Sequence, residues 1–423
     1  MKKLFVLMLA LALMFSSLTV VSAETASNEL TVWCWDPAFN IYAMNEAAKV
    51  YQESHPDFKL NVVETPWEDV QTKVTTAAMS GDLSTLPDIF LCQDNAFQKN
   101  VINYPDVFAD LTSGGVDFTQ FPAAKVAYSV VDGKNYGVPF DNGATIQAMR
   151  TDILQQAGYT IKDLTDITWD RFIEIGKDVK AKTGLPMISG QAGAPDMVMI
   201  MLQSCGSSLF NTDGTLNIKD NAALKKVIGY YAEMVKDGVC VETNGWDGYI
   251  ATFTTGKCTG TINGCWILGS IQTAKDQSGK WALTNIPKVD IDGGTNYSNN
   301  GGSSWAVSAS SKNFKLANDF LASTFGGSVK FYETILPSSG ALATYLPAGK
   351  SDVYNQPSEF FGGQKIFADI TAYAAKVPSN ATGVYYYEAR DAVGNAITQV
   401  VGGADIDKAL AEADATVSMQ MGA

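Results

Sequence analysis

Leu30-Thr31-Val32-Trp33-Cys34-Trp35 opens the pattern that decides the fold of this chain. β-Branched and aromatic residues crowd it, which suits a pleated strand, and Asp36-Pro37 stops that strand ahead of a helical run from Ile41 to Glu53. Lys59 to Glu64 reads as a second strand, Trp67 to Met79 as a helix closed by Ser80-Gly81, and Pro87 to Cys92 as a third strand. Strands and helices alternating at these lengths predict an α/β fold of mostly parallel sheets flanked by helices. Ligands of such sheets collect beyond the carboxyl ends of the strands. The residues waiting there are Trp35 and Asp36 after the first strand, and Gln93, Asp94 and Asn95 after the third. Trp33 takes the alternate face of its strand, so one of the two indoles is core and the other, Trp35, is expected in the cleft. Asp36, Asp94 and Asn95 have the chemistry of helix caps as well as of ligand contacts.

The 423 residues are too many for one comfortable core and predict two domains. A net charge of -14 opposes nucleic acid and anionic membrane surfaces. The chain has one histidine, His55, in a polar stretch that reads as a surface turn, which leaves little for histidine-dependent catalysis or multi-histidine metal sites. Six cysteines show neither framework spacing nor a CxxC motif; Cys34 and Cys92 each lie near a strand end, and a disulfide between them stays open. Met1-Lys2-Lys3, the apolar run Leu4 to Phe15 and the small residues up to Ala23 read as a secretory signal cut after Ala23. No cysteine stands at the cut site, so no lipid anchor is expected, and the run is shorter than the ~20 residues that cross a bilayer.

A second informative stretch is Gly256-Lys257-Cys258-Thr259-Gly260-Thr261-Ile262-Asn263-Gly264-Cys265-Trp266. Gly256 stops a helix over Tyr249 to Thr255, Asn263-Gly264 predicts a turn after a short strand, and Trp266 arrives at a strand-to-helix connection. That is where α/β proteins place their ligands. Trp246, between Gly245 and Gly248, is expected on a loop as a further aromatic platform. Asp132-Gly133 reads as a hairpin turn, Gly293 to Gly302 as a surface loop crossing between domains, Trp305 as core, and the Met197 to Met201 stripe as core filling.

Five segments in order, Leu30 to Trp35, Gly81-Asp82 with Pro87-Asp88-Ile89, Asp132 to Gly158, Phe253 to Trp266, and Tyr385 to Asn395, together resemble the extracellular solute-binding proteins of family 1. The resemblance implies a two-lobed periplasmic-binding-protein-like fold of type II, monomeric, that closes over a sugar or oligosaccharide and presents it to a membrane ABC importer. Residues 30–140 with 303–345 would form the N-terminal lobe and 145–298 with 346–423 the C-terminal lobe, hinged near 141–144 and 299–303. Thr261 to Trp266 is similar to the family segment whose tryptophan stacks on a sugar ring, with Cys265 where proline is common. Tyr386, Tyr387 and Arg390 resemble the family's C-terminal aromatic pair and a residue that orders the cleft. Cys92 to Asn95 resembles its loop of polar contacts, Cys92 standing where the family's maltose binder has tryptophan, and Asp141 and Asn142 fall near its acidic contact.

The chemistry agrees with that resemblance. A sugar offers C–H faces for aromatic platforms and a rim of hydroxyls for Asp, Asn, Gln and Arg. Three alternatives remain open. Paired carboxylates with aromatics also describe a glycoside hydrolase. Tyr385-Tyr386-Tyr387 suits ferric iron, and carboxylates with aromatics suit a polyamine. Because the candidates mix Asp with Asn and Gln, a binding protein for neutral carbohydrate, without catalysis, cofactor or metal, ranks first.

Overall fold

The expected alternation produces three parallel strands. In a computed structural model that describes residues 28–380 and 382–422, β1 (Glu29–Cys34) lies between β2 (Lys59–Glu64) and β3 (Ile89–Gln93). The expected signal segment, residues 1–23, lies outside the described residues. The helices Asn40–Gln52 and Trp67–Ser80 connect these strands, and Gly81 ends the second at φ 71°, a left-handed value that glycine adopts without strain. The hairpin of β4 (Val130–Val131) and β5 (Lys134–Asn135) turns at Asp132 and Gly133, both at positive φ, as the sequence predicts.

β6 (Gly137–Pro139) then joins the sheet beside a strand from far along the chain, β12 (Ser303–Val307), giving the order β2-β1-β3-β12-β6. The second lobe holds β7 (Thr145–Arg150) between β10 (Gly260–Gly264) and β11 (Trp281–Thr284), and a separate pair of β8 (Ile188–Gln191) and β9 (Cys240–Thr243). Among the named strands of the described residues, parallel pairing is found in β2-β1-β3 and β8-β9. β12 is antiparallel to both its neighbours, and β7 to both of its own. The α/β architecture is the expected one, but "mostly parallel" holds only for those two stretches. β12 returns to the first sheet after all the strands of the second lobe, β7 to β11, and a connection that long leaves either strand direction open.

Each lobe has its own core. The first packs β1, β3 and the helix Asn40–Gln52 around Trp305, Phe320 and Phe325; the second packs Trp169, Phe172 and Tyr231 against the helices Asp196–Ser204 and Tyr386–Val401. Trp305 and the methionine stripe are core, as expected. Between the lobes, Asp141 bridges Ala343 and Ala144 bridges Asn299, so three crossing segments pair with one another.

Three local expectations change, and one open question is answered. Asn263-Gly264 is not a turn but the end of β10, and the chain turns at Cys265-Trp266. Gly264 is needed there because a Cβ would stand 2.2 Å from Trp266 Nε1 and 2.8 Å from the Asn300 carbonyl oxygen. Trp246 lies in the first turn of the helix Gly245–Thr254 rather than on a loop. The stretch expected as a surface loop is buried at Ser298 and again from Gly302, where it passes between the lobes. All six cysteines are free, Cys34 and Cys92 included.

Candidate functional site

The carboxyl ends of β1 and β3 face the second lobe and present the acidic residues that the sequence singled out. Asp36 is buried and accepts the N–H groups of Ala38 at 2.8 Å and Phe39 at 3.1 Å, while Asn40 Oδ1 accepts those of Trp35 and Asp36. Asp36 thus shapes its own turn. Asp94 begins the helix Asp94–Asn103, and its buried carboxylate holds the Lys125 ammonium and the Ser304 hydroxyl, the latter at 3.0 Å. Lys125 also donates to the Ser303 carbonyl at 2.9 Å. Asp141 accepts the Ser303 N–H at 2.8 Å, and burial pushes its carboxyl up to about 7, with Lys125 opposing and Asp94 adding to the shift. Gly302, at φ 114°, lets the backbone pass, since a Cβ would lie 2.6 Å from Asp94 Oδ2. Asp36, Asp94 and Asp141 thus each have partners within the fold. The reason is burial: a carboxylate removed from water must find donors nearby. Asn142 is exposed and only its carbonyl is engaged, by the Cys265 thiol at 3.2 Å.

Beside this cluster lies a polar pocket. Asn95 and Tyr128 from the first lobe face Gln203, Ser207, Ser208 and Tyr386 from the second, Asn299 and Asn300 of a crossing segment join them, and Met199, Leu202 and Leu209 add an apolar wall. No lining residue is charged. Asn299 keeps a buried amide oxygen without a protein partner. The free cavity measures about 30 Å³, room for ~2 water molecules.

The aromatic candidates fall into two groups. Trp246 and Trp266 tilt against each other with centroids 5.7 Å apart. The Trp266 indole donates to the Asn300 carbonyl at 2.9 Å, and Asn300 in turn donates to Asn263 at 2.8 Å. Trp266 packs on the cores of both lobes and holds the pocket residue Asn300 without lining the pocket itself. The second group runs across the lobes: Trp35 lies 5.5 Å from Trp67, Trp67 6.2 Å from Tyr387, and the Tyr387 hydroxyl donates to Gln93 Oε1. Arg390 lies 5.8 Å from the Tyr387 ring centre and is paired with the Asp196 carboxylate. Lys99 of the first lobe pairs with Glu388 of the second. Burial pushes the Tyr386 and Tyr387 phenols upward.

Of the expected residues, the structure brings Asn95 and Tyr386 to the pocket and Trp35, Gln93, Tyr387 and Arg390 to the aromatic seam. Sequence reasoning missed Trp67, Tyr128, Lys125, Gln203, Asn299 and Asn300. Trp67 lies three residues past the end of β2, at the start of the next helix, whereas Trp35 directly follows β1; the others belong to no motif.

The comparisons with known proteins agree on one family. A model described as bacterial extracellular solute-binding protein matches residues 46–329. A lactose-binding protein of Rhizobium radiobacter is 41% identical over 389 residues, covering 92% of each chain. An arabinooligosaccharide-binding protein of Bacillus subtilis is 26% identical over 329 residues, covering 75% of this chain and 74% of its own. Among solved structures, an ABC-transporter-associated binding protein from B. animalis subsp. lactis, in complex with beta-1,6-galactobiose, superimposes with a TM-score of 0.80 at 20% identity over 93% of this chain and 97% of that one. Maltose-bound MalE3 of T. maritima gives 0.76 at 15% identity over 93% and 99%. At these identities the structures establish the two-lobed α/β fold.

Proposed function

Because the chain belongs to the bacterial extracellular solute-binding proteins, we propose that it captures a neutral carbohydrate between its lobes and delivers it to a membrane ABC importer. One observation carries the reading: the pocket between the lobes combines amides and hydroxyls with the apolar side chains of Met199, Leu202 and Leu209 and has no charged side chain. Amides and hydroxyls both donate and accept, as do sugar hydroxyls, so the two surfaces match without an ionic partner. The ionised groups nearest to it are paired off, Asp94 with Lys125 and Asp196 with Arg390. The lactose binder's 41% identity makes a β-galactoside the first cargo to test.

The free volume of about 30 Å³ is far below the ~300 Å³ of a small-molecule site, so the lobes must part to admit a ring. In this reading residues 30–140 with 303–345 move against 145–298 with 346–423, hinged at 141–144 and 299–303. Asn95 and Tyr386 contact the cargo directly, and Trp35, Gln93, Tyr387, Trp246 and Trp266 frame it. The protein works as a monomer, is exported by a signal cut after Ala23 without a lipid anchor, and leaves its cargo chemically unchanged.

The competing cargoes suit the site less well. Ferric iron takes tyrosinates, whereas burial holds the Tyr386 and Tyr387 phenols in the neutral form. A polyamine needs carboxylates on the pocket wall, and Asp94 and Asp141 are instead turned to Lys125 and Ser303. A thermal-shift screen of residues 24–423 against mono- and disaccharides, polyamines and ferric citrate tests the choice. A sugar at a hundredfold excess over its Kd stabilises by about 2.7 kcal/mol. A response to spermidine or iron with silence to every sugar would overturn it.

A further inference from the structure

We propose that Asn263, which lies outside the pocket, is a positioning residue that sets the pocket's hydrogen-bond polarity. It holds Asn300 so that the crossing-segment wall offers acceptor oxygens, which only a donating ligand group can meet. The proposal rests on the carbohydrate reading above and adds to it the direction of the hydrogen bonds.

An amide side chain has a donor end and an acceptor end, and the partners of one end decide which of the two is left for a ligand. Asn263 lies near the end of β10 and is buried. The Gly264 backbone N–H, which can only donate, lies 2.9 Å from Asn263 Oδ1, and Asn263 Nδ2 donates to the Tyr249 hydroxyl at 3.0 Å. The Thr261 hydroxyl engages Tyr249 in turn. The Asn263 amide therefore has one orientation, and its Oδ1 requires a donor from Asn300. Asn300 supplies Nδ2 at 2.8 Å.

The backbone of Asn300 is held as firmly. Its N–H donates to the Gly143 carbonyl at 2.8 Å, and its own carbonyl accepts the Trp266 indole N–H at 2.9 Å. Gly143 and Gly264 admit that carbonyl, since a Cβ on either would collide with its oxygen. With backbone and Nδ2 committed, Oδ1 is what this pocket residue has left to offer. Two further pocket amides are turned the same way. Asn299 Nδ2 donates to the Gly301 carbonyl at 2.7 Å, leaving its buried Oδ1 without a protein partner, and Gln203 Nε2 donates to the Pro378 carbonyl at 3.1 Å. Carbonyls only accept, so neither amide can be reversed. A ligand hydroxyl meets these oxygens by giving its proton, whereas a group that only accepts leaves them unsatisfied. The anchors of Asn299 and Gln203 are backbone carbonyls, but that of Asn300 is a side chain, which a substitution can remove.

Calorimetric titration of residues 24–423 tests this with lactose, or with maltose where lactose does not bind, and with the monodeoxy and monofluoro derivatives of that sugar. Fluorine keeps the size and acceptor character of a hydroxyl but cannot donate. In the wild type at least one hydroxyl should lose about tenfold or more in affinity on replacement, with the fluoro and deoxy derivatives within about twofold of each other. In Asn263→Leu the Asn300 amide is free to turn its Nδ2 outward, and the fluoro derivative at that position should bind at least about threefold better than the deoxy one. Asn263→Asp keeps an oxygen for Gly264 and Asn300, so it should retain the wild-type ratio even where overall affinity falls. Two results would overturn the inference and leave the carbohydrate reading standing: a wild type in which fluorine outperforms hydrogen at every hydroxyl, or a folded Asn263→Leu with the wild-type ratio. If Asn263→Leu does not fold, the wild-type pattern and the Asn263→Asp ratio decide. A wild type that binds neither sugar overturns the inference together with the reading beneath it.

Discussion

Asp94 and Asn95 are adjacent in sequence, yet they belong to two polar regions that work in opposite ways. Asp94 joins Lys125, Asp141, Ser303 and Ser304 in a buried cluster whose charges face one another and hold the crossing segments. Asn95 lines the pocket, where the polar groups are uncharged and one buried amide oxygen has no protein partner. The difference teaches how such a protein separates polar atoms that maintain the fold from those available to a ligand. Charges are too costly to bury without fixed partners, whereas amides and hydroxyls can exchange protein, water and sugar partners at small net expense.

The sharpest way to break this contrast is Lys125→Ala, which leaves two buried carboxylates without their cation. It should cost about 3–5 kcal/mol of folding stability, read by urea denaturation. A loss below about 1 kcal/mol would mean that the cluster is not what holds the crossing.

Next comes pH. Burial raises the Asp141 carboxyl from 3.8 to about 7, and raises Asp94 as well. A carboxyl that keeps its proton longer when folded stabilises at acid pH, and that contribution is lost as pH rises through the folded value. Relative to wild type, Asp141→Asn should therefore gain stability between pH 4 and pH 7, with a slope approaching about 1.4 kcal/mol per pH unit, and none beyond pH 8. A stability difference that stays flat from pH 4 to pH 8 would contradict the burial argument.

On the pocket side, Asn95→Ala should weaken sugar binding by about 1–2 kcal/mol while the melting temperature of the free protein stays within about 2 °C. Reversal of those two outcomes would assign Asn95 to the structural cluster. The smallest effect belongs to Lys99→Ala, which removes a half-exposed ion pair to Glu388 across the lobes. Such pairs contribute ~0.2–1 kcal/mol, so stopped-flow release of a bound sugar should quicken by no more than about fivefold.

The aromatic positions were the more legible part of the site. Strand-end placement alone picks out Trp35, whereas Trp67 stands at the start of the helix after β2. Tyr386 and Tyr387 stand together because consecutive residues at a helix start reach two adjoining surfaces. The fold partners of the acidic candidates were not legible, since Asp36, Asp94 and Asp141 have the same local appearance whether they face a ligand or cap a turn. Lys125 and Ser303, the partners of Asp94 and Asp141 in the fold, are distant in sequence.

By itself the sequence determined the alternation of strands and helices, the turns at Gly81 and Asp132-Gly133, and the placing of Trp305 and the methionine stripe in the core. These depend on local propensity and on the periodicity of apolar residues, which a short window contains. Only the tertiary structure decided the direction of β12, the buried course of the crossing segments and the division between paired carboxylates and pocket amides. Each of those depends on residues brought together from both ends of the chain, and on burial, which sets whether a polar group must be satisfied within the protein or is left for a ligand.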